Sequence, residues 1–197
     1  FLECEVAEIV IVVSEEYRHI FEDHVAKRGG APTIKYASGG KERQNSVENG
    51  LAEITSEYVA VHDAARPLVT PAEVEKVVGD AKKYGAALLA VQTKATIKEA
   101  VAGDAEDKMV SKTPDRELLW EAHTPQVIRS DLLRDGFSNA TKLNLAVTDD
   151  VSVVEALGEP VKLTQGEYTN IKVTTPEDIA VAETILRGRG FSEGAAA

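Results

Sequence analysis

The sequence has only one cysteine, Cys4, so it can form no internal disulfide, and nothing in it indicates an oxidising compartment. Long apolar runs are also missing: no stretch approaches the ~20 residues that a membrane-spanning helix needs. Basic residues are few, since 22 lysines and arginines stand against 33 acidic residues, giving a formal net charge of -11. Nucleic acids and anionic membranes are bound mainly through lysine and arginine, so this charge argues against both as partners.

What the sequence does contain is a regular alternation of strand-like and helix-like segments. Glu8 to Val13 is a compact β-branched run, typical of a buried parallel strand. Thr70-Pro71-Ala72-Glu73 combines a helix N-cap, a proline at the first helical position and a capping-box acid. Strands alternating with helices predict parallel βαβ units, and hence an α/β fold with three layers, α/β/α. The length of 197 residues indicates a single domain, 1–197.

The alternation is interrupted between about residues 94 and 128. Ala95 to Ala100, Lys108 to Thr113 and Trp120 to Ile128 each suggest a short extended segment, and the residues at 102–104 suggest a turn. We therefore predict that a β arm, about 94–128, is inserted in the α/β domain.

The segment from Ser38 to Ser46 follows a predicted strand and begins a predicted helix. Ligands of open α/β sheets bind beyond the carboxyl ends of the strands, where Gly39 and Gly40 would let the backbone approach a ligand. The helix start supplies free amides for an anion, and Arg43 and Ser46, three residues apart, share one helical face. A tight strand-to-helix turn would use the same glycines, and both interpretations stay open.

A second segment of this kind follows the predicted strand that ends near His62. Asp63 could hold a divalent cation and Arg66 could bind a phosphate, an arrangement that recurs in phosphoryl and nucleotidyl transfer. A structural ion pair between Asp63 and Arg66 is the alternative. His62 is more typical of a core residue than of a ligand, and with no second histidine or cysteine at metal spacing a zinc site is not expected.

The third candidate is Lys172, between Ile171 and Val173 in what reads as a short strand. An unpaired buried ammonium group would be costly. Its side chain therefore reaches solvent, pairs with an acidic residue or faces an anionic substrate, and the sequence alone leaves these three possibilities open.

Taken together, these segments resemble the 2-C-methyl-D-erythritol 4-phosphate cytidylyltransferase family from about Glu8 to Leu186, in order and without large gaps. One such motif would be weak evidence, whereas the ordered set is highly specific. The residues that carry the resemblance are Gly-Gly-Lys-Glu-Arg-Gln-Asn-Ser-Val-Glu-Asn-Gly-Leu at 39–51, Val-His-Asp-Ala-Ala-Arg-Pro at 61–67, Lys-Ala-Thr-Ile-Lys at 94–98, Thr-Pro-Asp-Arg at 113–116, Trp120, His-Thr-Pro-Gln at 123–126, Thr-Asp-Asp at 148–150 and Asn-Ile-Lys-Val-Thr-Thr-Pro-Glu-Asp at 170–178.

The resemblance implies a Rossmann-like nucleotidyltransferase domain and a reaction between CTP and 2-C-methyl-D-erythritol 4-phosphate. A phosphate oxygen of the sugar alcohol would attack the α-phosphorus of CTP and release pyrophosphate, with Mg²⁺ on the triphosphate. The matching positions imply that Gly40, Arg43 and Ser46 bind the nucleotide and that Asp63 binds magnesium. They imply that Arg66, Thr96 and Thr124 bind the sugar phosphate and that Arg116 and Lys172 position it. Asp63, Arg116 and Lys172 would then be the catalytic residues.

In relatives the inserted arm clasps a second subunit, so the resemblance implies a homodimer in which Arg116 serves the neighbouring site. Arg116 could instead pair with Asp115 or Glu117 on the arm.

Two segments, Lys-Ala-Thr-Ile-Lys-Glu at 94–99 and Thr-Pro-Gln-Val-Ile at 124–128, resemble the plastid branch of the family. They favour the chloroplast stroma as the location, with the bacterial cytoplasm as the alternative.

Two other functions remain open. A ribitol 5-phosphate cytidylyltransferase would share fold, nucleotide and mechanism, but its relatives tend to have a bulkier valine in place of Ala65, so the alanine favours the methyl-branched substrate. A non-catalytic nucleotide-binding or dimerisation module is the other possibility.

The family normally opens with a strand and a glycine-rich loop that cradles the triphosphate, and neither is found before Phe1. About 30 residues, one βαβ unit, would supply them. We expect a protein that starts at Phe1 to turn over little or not at all, because the charge developing on the triphosphate would lose its main cradle. CTP-dependent pyrophosphate release, measured with and without native residues upstream of Phe1, tests this expectation, and equal rates would refute it.

Overall fold

The computed structural model describes residues 1–28, 32–103 and 108–191. Within these ranges every helix is too short or too polar to span a bilayer. A short 3₁₀ helix spans Arg116–Leu118. The strands are β1 (Glu8–Val12), β2 (Thr33–Ala37), β3 (Tyr58–Val61), β4 (Ala86–Gln92), β5 (Glu99–Ala100), β6 (Val110–Lys112), β7 (Trp120–Arg129) and β8 (Lys162–Gln165), and the helices are α1 (Glu15–Arg28), α2 (Arg43–Glu53), α3 (Pro71–Tyr84), α4 (Ser130–Leu143), α5 (Ser152–Glu155) and α6 (Pro176–Gly188).

The main sheet has the order β3-β7-β4-β8, and its centre is β4, an apolar strand buried along nearly its whole length. Alternate residues of β4 face opposite sides. Ala86, Leu88 and Ala90 pack in one hydrophobic cluster with α4, while Ala87 and Leu89 pack in another with α3. Because each face of the sheet is covered by helix, the predicted three-layer α/β/α arrangement is confirmed.

The predicted arm is partly wrong in its extent. Only β5 and β6 form an antiparallel ribbon apart from the main sheet, and residues 104–107 lie outside the described residues. β7 instead enters the main sheet, antiparallel to both β3 and β4. Six consecutive residues of β7, from His123 to Ile128, are buried. Burial between β3 and β4 explains why this strand is part of the main sheet and not of the arm.

The short strand predicted around Lys172 is also wrong. Residues 171–173 are not a strand, because Val173 N donates to Ala65 O at 2.7 Å and Asn170 O accepts from Arg66 at 2.7 Å. These backbone groups are satisfied by the loop after β3 rather than by a sheet ladder. Between α4 and β8 the only helix of the described residues is α5, whose Ser152 N donates to the Asp149 carboxylate.

The strands β1 and β2 form a separate parallel pair, joined to the start of β3 mainly through Glu8. Its Oε1 accepts from the backbone amides of Thr55 and Ser56, both at 2.8 Å, and its Oε2 accepts from Lys35 Nζ at 2.6 Å. Burial raises the pKa of the Glu8 carboxyl, but these bonds outweigh it and hold the pKa below its usual range. Among the described residues β1 pairs only with β2, and it is half-buried, less covered than its apolar sequence predicts.

Two glycines give a test of this packing. A Cβ atom at Gly136, where α4 meets α5, would lie 2.6 Å from Val153 Cγ2, whereas one at Gly79 on α3 would meet nothing within 4 Å. We expect Gly136→Ala to destabilise the fold by about 1–3 kcal/mol through overpacking. The exposed Gly79→Ala should stabilise it by about 1 kcal/mol through helix propensity. Urea unfolding of both variants checks the pair, and a more stable Gly136→Ala would contradict the packing described.

Candidate active site

Three segments meet around Asp63: the loop after β3, the first turn of α2 and residues 170–172. Lys172 Nζ lies 2.8 Å from Asp63 Oδ2, and Arg43 Nη2 lies 3.4 Å from Asp63 Oδ1. Burial raises the pKa of the Asp63 carboxyl, but the ammonium and guanidinium groups outweigh it and hold that pKa below its usual range. Asp63 is therefore an ionised carboxylate between two cations.

The backbone around Asp63 is fixed by buried polar contacts. Asp63 N donates to Thr124 Oγ1 at 3.0 Å, and Arg66 N donates to Asp63 O at 2.9 Å, which closes a turn. His62 uses both ring nitrogens, Nδ1 with Thr124 Oγ1 and Nε2 with Arg66 O. Burial lowers the pKa of His62, so the ring stays neutral. His62 thus supports the loop, as its sequence position suggested.

Arg43 also forms an ion pair with Asp150. Its Nη2 lies 2.6 Å from Asp150 Oδ2 and its Nη1 lies 3.0 Å from Oδ1, while the Asp150 side chain is only 1% exposed. This bidentate contact raises the pKa of the guanidinium, which stays charged. Asp150 belongs to the Thr-Asp-Asp motif, yet sequence reasoning gave it no role, because nothing local shows which of the two aspartates is buried under Arg43.

Arg66 does not pair with Asp63. Its Nη1 donates to Asn170 O at 2.7 Å, its Nη2 donates to Ala122 O at 3.4 Å, and its buried Nε has no hydrogen-bond partner among the described residues. Burial lowers the pKa of this guanidinium without neutralising it. The Asp63–Arg66 ion pair, which was the alternative from the sequence, is therefore absent from the described residues. The charge of Arg66 is instead available to a ligand in the cavity that this residue lines.

That cavity has a volume of about 260 Å³, suited to a small polar molecule rather than a drug-sized one. We call it the lysine–arginine cavity, because Lys172 and Arg66 both line it. Its remaining lining residues are Val91, Glu121, His123, Tyr168 and Ile171. Lys94 lies next to it, with its Nζ 3.4 Å from the centre of the Tyr168 ring. The wall therefore offers two cations, one carboxylate and one imidazole.

The glycine-rich turn before α2 is tight. Gly40 N donates to Ser46 Oγ at 2.9 Å, and a Cβ at Gly40 would lie 2.3 Å from the Cβ of Asn45. Glu42 caps α2 reciprocally with Asn45. The turn thus needs glycine at 40 for its own geometry, and it places Arg43 at the first position of the helix.

Two predicted site residues lie elsewhere in this subunit. Thr96 is exposed just before β5, and Arg116 is exposed and donates to Lys94 O at 3.1 Å. Arg116 makes no ion pair with Asp115 or Glu117, since Asp115 accepts instead from Glu117 N. Neither Thr96 nor Arg116 lines the lysine–arginine cavity. In the ranges that the structure describes, no group of three or more histidine, cysteine or acidic residues could hold a metal unaided.

Known proteins match most of this chain. The family model for 2-C-methyl-D-erythritol 4-phosphate cytidylyltransferase matches residues 1–188. A chloroplastic enzyme of that name from Oryza sativa is 52% identical over 184 residues, which cover 92% of this chain and 60% of the rice protein. The bacterial enzyme of Pelotomaculum thermopropionicum is 42% identical over 187 residues, covering 93% of this chain and 77% of the relative.

Among solved structures, the 4-diphosphocytidyl-2C-methyl-D-erythritol synthase of Anaerococcus prevotii superposes with a TM-score of 0.83 at 30% identity, covering 93% of this chain and 83% of that one. The 2-C-methyl-D-erythritol 4-phosphate cytidylyltransferase of Thermus thermophilus superposes with a TM-score of 0.74 at 30% identity, covering 93% of this chain and 84% of that one. The three-layer α/β/α arrangement of this chain is therefore the Rossmann-like nucleotidyltransferase fold. With its motifs in order and its cations around one cavity, the chain belongs to the 2-C-methyl-D-erythritol 4-phosphate cytidylyltransferase family.

Proposed function

We propose that the protein transfers a cytidylyl group from CTP to 2-C-methyl-D-erythritol 4-phosphate, in the non-mevalonate pathway of isoprenoid synthesis. Its products are 4-diphosphocytidyl-2-C-methyl-D-erythritol and pyrophosphate. Family membership supports this activity, although the chain spans only 60% of the rice relative. The observation that carries the proposal is that Lys172 bridges the carboxylate of Asp63 and the cavity that it lines with Arg66.

The chemistry requires two anionic reactants to be held together. A phosphate oxygen of the sugar alcohol, already ionised near neutral pH, forms a bond to the α-phosphorus of CTP. The bond from that phosphorus to the bridging oxygen breaks, and pyrophosphate leaves with the electron pair. Lys172 and Arg66 bind the attacking phosphate and lower the repulsion between the reactants. Positioning of the reactants and compensation of their charge account for the acceleration of the transfer, and no general base is needed.

Asp63 is the residue that would hold a magnesium ion. Mg²⁺ commonly binds one or two protein carboxylates together with substrate phosphates and water, so a single carboxylate suits an ion that arrives with the triphosphate. The ion would neutralise charge on the triphosphate. Gly40, Arg43 and Ser46 lie on the turn beside Asp63 and are proposed to contact the nucleotide. Thr124, whose buried hydroxyl is bonded to Asp63 N and His62 Nδ1, would act on the sugar-phosphate site by holding the Asp63 loop, and Thr96 could reach a sugar phosphate only from outside the lysine–arginine cavity.

The activity is tested by pyrophosphate release in the longest natural form of the protein. We expect release with CTP and methylerythritol phosphate, and at least about 10²-fold less with Lys172→Ala, because one phosphate-binding cation is lost. Lys142→Ala, an exposed lysine at the end of α4, is the matched control and should leave the rate unchanged.

Other outcomes favour the other functions. A preference for ribitol 5-phosphate would replace the substrate, whereas Ala65 favours the branched one. Nucleotide binding without turnover, with the fold intact by circular dichroism, would indicate a non-catalytic module and contradict the proposal.

We further propose that the protein is a homodimer joined through the β arm and that Arg116 serves the neighbouring site. Apolar side chains on and beside the arm are exposed in one subunit, which is typical of a protein contact. They are Ile97 at 41%, Val101 at 49%, Met109 at 71%, Val110 at 59% and Leu118 at 78%. Arg116 is outside the cavity of its own subunit, so a site that needs it must receive it from a partner.

Subunit mixing tests this sharing. Arg116→Ala and Lys172→Ala should each be inactive alone, because every site lacks one cation. Co-expressed, they form mixed dimers with one site that has both residues, and random pairing should restore about a quarter of the wild-type activity. No recovery, in samples that light scattering shows to be dimeric, would contradict delivery of Arg116 across the interface.

The chloroplast stroma is the proposed location, supported by the chloroplastic name of the rice relative. The bacterial relatives are similar enough to keep a bacterial cytoplasm as the alternative.

A further inference from the structure

The wall of the lysine–arginine cavity contains a histidine that the proposed chemistry does not use. His123 belongs to β7, and it is 7% exposed. Its ring makes no hydrogen bond within the described residues, and its Nδ1 is buried without a partner. A buried polar group is normally hydrogen-bonded, because leaving it unpaired costs free energy. The ring of His123 therefore lacks a hydrogen-bond partner among the described residues, and the same residue forms part of the wall of the lysine–arginine cavity.

The charge state of this ring limits what it can bind. Burial, together with the nearby guanidinium of Arg66, lowers the pKa of His123 to about 4. The ring is neutral near pH 7, so it adds no charge to attract a phosphate, and the phosphate is left to Arg66 and Lys172. A neutral imidazole has one donor and one acceptor, and which nitrogen has the proton depends on its partner.

A hydroxyl group suits either form of the ring, because it can donate and accept. The other lining residues suit a molecule with a phosphate at one end and hydroxyls beyond it. Arg66 and Lys172 are the cationic part of the wall, Glu121 can accept from a hydroxyl, and Val91 and Ile171 are apolar. His123 lies among these groups rather than outside them.

We infer that His123 is a specificity-determining residue whose ring forms a hydrogen bond with one hydroxyl group of the sugar-alcohol phosphate in the lysine–arginine cavity. This inference rests on the proposed function, since it concerns the same substrate. Sites that bind a substrate hydroxyl through buried polar groups discriminate strongly against analogues that lack it. His123 would thereby select polyol phosphates that have a hydroxyl at one particular carbon.

The test combines variants of His123 with analogues of methylerythritol phosphate that each lack one hydroxyl. His123→Leu should raise KM for the sugar-alcohol phosphate about tenfold or more and leave KM for CTP within about twofold. The wild-type protein should use one of the analogues at least about tenfold less well than the parent compound. In His123→Leu that preference should disappear, because the lost hydroxyl no longer has a partner.

Two further variants separate hydrogen bonding from packing. Asparagine places its amide near the position of Nδ1 and glutamine near that of Nε2, so His123→Asn or His123→Gln should regain part of the affinity and the analogue preference. They also provide the test if His123→Leu fails to fold. His24→Leu, at an exposed histidine of α1, is the matched control and should behave as wild type.

The outcomes separate the inference from the function on which it rests. If the wild-type protein turns over methylerythritol phosphate but no His123 variant changes the analogue preference, the inference is wrong and the proposed function stands. A fall in kcat with unchanged preference would likewise reduce His123 to a packing role. If the wild-type protein uses no methylerythritol phosphate at all, the proposed function fails, and the inference fails with it.

Discussion

The contact of Asp63 with Lys172 and Arg43 is the interaction on which the rest of the site depends. In a protein with a formal net charge of -11, Arg43 and Lys172 lie around one carboxylate, which offsets the repulsion between the two cations. This carboxylate, Asp63, lies 2.8 Å from Lys172 and 3.4 Å from Arg43. The loop after β3 therefore sets the position of the charges that a phosphorylated substrate would meet.

Buried polar groups, rather than apolar packing, fix that loop. Thr124 reaches from β7 to the amide of Asp63, and Asn170 is fully buried, with its carbonyl accepting from Arg66 and its Nδ2 donating to Thr124 O at 2.9 Å. Such networks stabilise a single geometry when their members are satisfied. Three buried atoms of this region have no hydrogen-bond partner among the described residues: Arg66 Nε, His123 Nδ1 and Asn170 Oδ1.

Local periodicity predicted the layers of the fold, and the rule that ligands bind at the carboxyl ends of strands drew attention to Asp63 and Arg66. That Lys172 meets them was implied only by the family resemblance, since the residues themselves left three environments open for Lys172. The sequence did not predict that β7 lies antiparallel in the main sheet, since pairing with β3 and β4 is set by partners between 28 residues (Gln92 with Trp120) and 71 residues (Tyr58 with Arg129) away. Nor did it identify Asp150 or His123, whose importance comes from burial against distant side chains. The spacing of residues along the sequence predicts the structure of one helix or strand at a time. The roles of Asp150 and His123 come from contacts between different helices, strands and loops.

Exposure and charge together indicate which cation can move when substrate binds. The two cations are similarly exposed, Lys172 at 46% and Arg43 at 41%, but their carboxylate partners differ. Asp63 is 17% exposed, so an anionic phosphate can draw the Lys172 ammonium group from it at a lower cost than a fully buried pair would impose. Arg43 differs, because separating it from Asp150, which is 1% exposed, would leave a buried charge unpaired at a cost of about 3–5 kcal/mol. Arg43 is therefore a fixed cation and Lys172 an adjustable one. On the proposal that Asp63 would hold a magnesium ion, Lys172 is the contact that Asp63 would exchange, while its longer contact with Arg43, at 3.4 Å, would remain.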